Sequence, residues 1–215
     1  MKKSITISII LVVMLNYSCA QDAENKVSTP KIANFKAELF IDQLQIPWGF
    51  AFLPDKSILI TEKEGKLIHF SNGKKSIIGN IPEVYQRGQG GLLDIELHPN
   101  YEKNGWIYFT YASTEGDEKG GHTALMRAKL KNNSLTNKEL LYKGVPNTTK
   151  GQHFGSRIVF DNEGYVYFSI GERGDRDINP QDIKRDGGKI YRLYDDGRIP
   201  EDNPFVGVEG AKTAI

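Results

Sequence analysis

A short apolar strand, a turn rich in Pro, Asn, Asp or Gly, and a second apolar or aromatic strand recur three times along the chain, and this repeat limits the fold more than any other feature. Phe50-Ala51-Phe52-Leu53-Pro54-Asp55 precedes residues 57–61, Asp94-Ile95-Glu96-Leu97-His98-Pro99-Asn100 precedes 105–111, and Ile158-Val159-Phe160-Asp161-Asn162-Glu163-Gly164 precedes 165–170. A further strand follows each pair, at 65–70, 123–130 and 188–193, and third and fourth strands meet at turns such as Asn72-Gly73 and Asp196-Gly197. Turn residues of this kind reverse the chain, so that consecutive strands pair antiparallel. Phe52, Leu97 and Phe160 stand 45 and 63 positions apart. Four-stranded repeats of about 40 to 50 residues define a β-propeller, with longer intervals carrying insertions. The insertion is expected at 115–121 and 132–150, and Trp48 and Trp106, in or beside repeat strands, are expected to pack between repeats. Sustained helical periodicity is missing apart from short turns near 181–184, so the fold class is all-β.

A propeller protects its sheet edges by closing into a ring, for which at least about four blades are usual. About three units are present, so the chain is expected to be the N-terminal portion of a longer protein; a short open stack of sheets is the alternative. With 39% hydrophobic and 26% charged residues in 215, the composition is that of a folded domain with a buried core. The formal net charge of +1 gives no basic excess to attract nucleic acid.

The start of the chain is a targeting segment rather than part of the fold. Lys2-Lys3 is followed by an apolar stretch over 5–15 and the small residues Ser18-Cys19-Ala20, and the apolar part is too short for a stable spanning helix. Residues 1–20 are therefore expected to direct export to the periplasm or cell surface. Cleavage before Cys19 would make it the lipid-bearing first residue of a lipoprotein, tethered to a membrane; cleavage after Ala20 would release a soluble protein. Cys19 is the sole cysteine, which excludes disulfides within the chain. Residues 21–34 read as a linker, and a strand is expected at 35–41, where the domain 35–215 begins.

The stretch from Gln152 to Arg176 concentrates the chemistry. Gln152-His153-Phe154-Gly155-Ser156-Arg157 leads into one apolar run, and a second run ends at Gly171-Glu172-Arg173-Gly174-Asp175-Arg176. A hairpin returns the chain to its starting end, so His153 and Glu172 should lie within reach of each other. An imidazole beside a carboxylate is a base with its orienter, the minimum apparatus for taking a hydroxyl proton. Asp175, Asp177 and Asn179 have the opening spacing of a calcium loop, but Pro180 stands where Gly is required and no closing Glu follows. His69 is expected on a solvated face, His98 at a hydrogen-bonded corner and His122 in solvent, with the border of a substrate cleft as the alternative, and four scattered histidines do not make a zinc site.

Taken in order, Ile46-Pro47-Trp48-Gly49-Phe50, Gly88-Gln89-Gly90-Gly91-Leu92-Leu93-Asp94, His98-Pro99, Gln152 to Arg157, Gly171-Glu172-Arg173-Gly174, and Gly188-Lys189-Ile190-Tyr191-Arg192 through Asp202-Asn203-Pro204-Phe205 resemble the soluble quinoprotein sugar dehydrogenases, the glucose/sorbosone or aldose sugar dehydrogenase family. The resemblance implies a six-bladed propeller that uses pyrroloquinoline quinone (PQQ) to oxidise the C1 hydroxyl of an aldose. It places His153 at the general base, Glu172 at the base's acidic partner and Gln89 at a glutamine contacting cofactor and substrate. Family members often carry Asp where this chain has Glu172. The quinone's carboxylates would pair with cations, and Arg173 and Arg176 are the candidates here; calcium is implied too, with ligands expected beyond Ile215 and none identified in the chain. The electron acceptor is unspecified. The alternative function is a non-catalytic propeller binding glycans or a protein partner, and a metal-dependent lactonase is disfavoured because carboxylates do not converge in these motifs.

Overall fold

The computed structural model describes residues 35–215. The export signal, Cys19 and the linker expected at 21–34 lie outside the described residues. Residues 35–40 form no strand, and Phe35, Leu39 and Phe40 are largely exposed, so the strand expected at 35–41 is a correction: alternation of apolar residues alone does not make a strand.

The rest builds three antiparallel sheets in chain order. The first pairs β1 (Pro47–Phe52), β2 (Ile58–Glu62), β3 (Lys66–Ser71) and β4 (Lys74–Ile78). The second pairs β5 (Leu92–Leu97), β6 (Trp106–Ser113), β7 (His122–Lys131) and β8 (Ser134–Lys143). The third has three strands, β9 (Gly155–Phe160), β10 (Tyr165–Ile170) and β11 (Lys189–Tyr194). β8 corrects the expected insertion at 132–150, about half of which is the fourth strand of its sheet; 115–121 and 144–150 are loop. A single helical turn, α1 (Tyr101–Asn104), and a 3-10 turn at Asn179–Gln181 are the described helices, the latter close to the turns expected at 181–184.

The sheets stack face on face, with β1, β5 and β9 side by side. β6 shows why its sequence is largely apolar. Ile107, Phe109 and Tyr111 pack into the cluster shared with the first sheet through Leu59, Leu67 and Ile78, while Tyr108 turns the other way to Ile158, Phe168 and Leu193 of the third. A strand sandwiched on both faces must be apolar on both. Each fully buried aromatic contributes roughly 2–3 kcal/mol of burial. Trp48 and Trp106 are half-buried at these junctions, as the repeat pattern predicts.

One carboxylate sits where all three sheets meet. Asp94 of β5, 3% exposed, accepts Arg157 Nη1 at 2.7 Å and the Ile158 N–H at 2.9 Å from β9, and a side chain at Gly49 of β1 would meet its Oδ1 at 2.9 Å. These stacked sheets are three consecutive blades of a β-propeller.

Candidate active site

Three turns interlock at one end of the second and third sheets. Two precede the inner strands β5 and β9; the third follows β10. They pack backbone to backbone, which only glycine permits: a Cβ at Gly88 would lie 2.2 Å from the Gly151 carbonyl oxygen, and one at Gly171 would lie 2.2 Å from that of His153. The Gln89 N–H donates to Gly151 O at 2.7 Å, and the Arg173 N–H to His153 O at 3.3 Å.

The hairpin delivers its two ends together as the sequence predicts. Asp161 closes its turn, accepting the Glu163 and Tyr165 N–H groups at 2.9 Å each, and Gly155 pairs with Ile170 at the far end. His153 Nδ1 is hydrogen-bonded to Glu172 Oε1, and the His153 N–H donates to Gln89 Oε1 at 2.7 Å. His153, Glu172 and Gln89 are thus brought together. The second carboxylate oxygen of Glu172 accepts the Asp175 N–H at 2.6 Å, and Asn179 Nδ2 donates to the Glu172 carbonyl at 3.0 Å. The longer Glu side chain therefore reaches both partners.

Burial opposes ionisation of Glu172, but the Asp175 N–H, the His153 ring and the Gly174 N–H outweigh it and hold its carboxyl below the usual range. An ionised Glu172 accepts the proton on Nδ1, which leaves the lone pair on Nε2. The His153 side chain is 41% exposed against 17% for Glu172, and Nε2 has no hydrogen bond to another described residue. His153 adopts a left-handed φ of 54°, a conformation a non-glycine residue takes at a cost.

The two arginines separate. Arg176 is exposed, with no hydrogen bond or ion pair to another described residue. Arg173 is a correction: expected to face a cofactor, it is 1% exposed, with its guanidinium 3.5 Å from the centre of the Phe154 ring and its donors directed at Gln152 O, Lys150 O and Thr148 Oγ1. Among the other histidines, His98 is the hydrogen-bonded corner expected. His69 is half-buried, with Nε2 2.8 Å from Ser57 Oγ. His122 is a correction: it is 2% exposed, wedged against Gly144, and burial foremost, then the Arg173 charge, lowers its pKa from 6.5 to about 4. Asn179 supports the Glu172 turn rather than a calcium loop, and no group of three or more His, Cys, Asp or Glu side chains able to hold a metal occurs among the described residues. Sequence reasoning missed Asp94, although an acid set between Leu93 and Ile95 in a largely apolar strand was the signal for it.

A stack of propeller blades carrying a histidine–carboxylate pair on a rim of turns defines a class; comparison with known proteins gives the family. The profile of the Glucose / Sorbosone dehydrogenase family matches residues 44–215, and the chain belongs to that family. It is 37% identical over 188 residues to the aldose sugar dehydrogenase YliI of Escherichia coli, covering 85% of this chain and 50% of that protein. To quinoprotein glucose dehydrogenase B of Acinetobacter calcoaceticus it is 27% identical over 208 residues, covering 83% and 43%. The crystal structure of the soluble aldose sugar dehydrogenase of Escherichia coli in the apo-form superimposes with a TM-score of 0.75 at 37% identity, over 80% of this chain and 50% of that one. The PQQ-bound aldose sugar dehydrogenase of Streptomyces coelicolor does so with a TM-score of 0.66 at 30% identity, over 80% and 50%. The chain spans about half the length of the curated relatives it matches.

Proposed function

We propose that the full-length protein oxidises the C1 hydroxyl of an aldose to the lactone, with His153 as general base and pyrroloquinoline quinone as the bound oxidant. The observation that carries this reading is the commitment of one imidazole nitrogen and the freedom of the other: Nδ1 is held by Glu172 while Nε2 is presented at an exposed rim. Nε2 takes the hydroxyl proton, Nδ1–H stays on Glu172, and the carboxylate stabilises the imidazolium that results. Gln89 fixes the His153 backbone and offers the rest of its amide to a ligand. Arg176, exposed and unpaired, suits a carboxylate of the quinone. Bound there, the quinone would supply the acceptor for the hydride that leaves C1.

Calcium enters only as the quinone's companion in the family resemblance, and no step is assigned to it. The 215 residues alone are expected to turn over little or no sugar, because the resemblance places further quinone contacts outside them. Export, with Cys19 as lipid anchor, completes the proposal.

The test is dye reduction by the full-length protein supplied with the quinone, calcium and an aldose. Turnover that disappears in His153→Ala is the expected result. A protein whose absorption spectrum is unchanged on quinone titration would instead be a glycan- or protein-binding propeller.

A further inference from the structure

We propose that Arg173 is the positioning residue of this site, locking the turn that carries His153 onto the turn that carries Glu172. Arg173 bears three costs at once. It buries a cation without a carboxylate against its guanidinium, its Nε has no hydrogen-bond partner, and its backbone takes a left-handed φ of 59°. Burial lowers its pKa from 12.5 to about 10, which leaves it charged at neutral pH.

The compensation is entirely local. Nη1 donates to Gln152 O, and Nη2 to Lys150 O at 2.8 Å, Thr148 Oγ1 at 3.1 Å and Gly121 O at 3.4 Å. The guanidinium plane covers Phe154, and the Arg173 N–H reaches His153 O. Arg173 therefore grips the chain on both sides of His153 while being bonded covalently to Glu172. A planar fork does this; the point charge of a lysine cannot bond several carbonyls and cover a ring together. Were the grip lost, the two turns would keep the Arg173 N–H, the exposed Lys150 Nζ bond to Gly174 O at 3.0 Å and the imidazole–carboxylate bond between them at this place.

The catalytic consequence rests on the function proposed above, but the grip itself is testable without turnover. In protein labelled with ¹⁵N-histidine, the Nδ1–H of His153 should give a hydrogen-bonded, slowly exchanging signal. Arg173→Lys and Arg173→Met should lose that signal or speed its exchange about tenfold or more, with amide signals of the first sheet unmoved. Thr148→Val, which removes one acceptor, should give a smaller change in the same direction. In the full-length enzyme, Arg173→Lys should lower kcat by about ten- to a hundredfold with KM little changed, the mark of a misplaced base. An unchanged Nδ1–H signal in Arg173→Lys and Thr148→Val overturns the proposal, also where Arg173→Met fails to fold, since Arg173 would then support the domain and not the pair. Absence of turnover in the unmutated enzyme would remove the dehydrogenase reading and leave the exchange result to decide on Arg173.

Discussion

Two histidine–carboxylate pairs stand at opposite ends of the third sheet, and they are bonded in opposite senses. His98 accepts the Asn100 N–H at 2.9 Å and Asn104 Nδ2 at 2.8 Å on Nδ1, and its Nε2 meets Asp195 Oδ2 at 3.1 Å. Both nitrogens are committed, the ring packs against Tyr108 and Phe160, and its side chain is 10% exposed. His153 commits one nitrogen and leaves the other at a rim. The same two residue types thus make a clasp between blades in one place and the base proposed above in the other; the uncommitted nitrogen is the difference. A cleft of about 340 Å³ lies at the clasp end, lined by His98 and Tyr101 among others.

The comparison breaks most sharply at His153. Its replacement by Ala in the full-length, quinone-supplied enzyme should lower turnover by about 10²- to 10⁴-fold, read by dye reduction, while urea unfolding moves by less than about 1 kcal/mol. Next comes His122, a buried histidine with no carboxylate bonded to its ring. Its folded pKa of about 4 lies below the ordinary 6.5, so the unfolded chain takes up the proton first. Its contribution is complete above pH 6.5, falls as pH drops from 6.5 to 4, and amounts to roughly 3 kcal/mol. Urea midpoints across that range should fall more steeply for the unmutated protein than for His122→Asn. His98→Ala should reverse the His153 result, costing about 2–3 kcal/mol through the donors left behind and the lost packing, with quinone binding unchanged by titration. The smallest effect is expected from Glu172→Gln. About tenfold lower turnover, with little change in stability, would mark an orienter; loss as complete as in His153→Ala would make Glu172 a reacting group.

The blades were legible because their strands obey two simple patterns, continuous apolar runs where a strand is covered on both faces and turn residues between them. β8 was not, since Asn137, Lys138 and Glu139 on its exposed stretch read as loop. The His153–Glu172 pair was legible from the hairpin that brings its ends together. Gln89 came from family resemblance, and the structure supplied its bond to His153. Arg173 was not legible: a charged residue among charged neighbours looks like surface until two separate segments, at Gly121 and at 148–152, are seen to close over it.

The bond from the His153 amide to Gln89 has one more implication. A main-chain N–H can only give a proton, so the oxygen of the Gln89 carboxamide must be turned inward to receive it, which points the NH₂ away from the backbone. What this exposed glutamine leaves free is thus a pair of polarised hydrogens. Beside it, His153 extends a lone pair. A visitor satisfying both must bring an electron-rich atom and an acidic hydrogen side by side, as neighbouring oxygens on a polyol do.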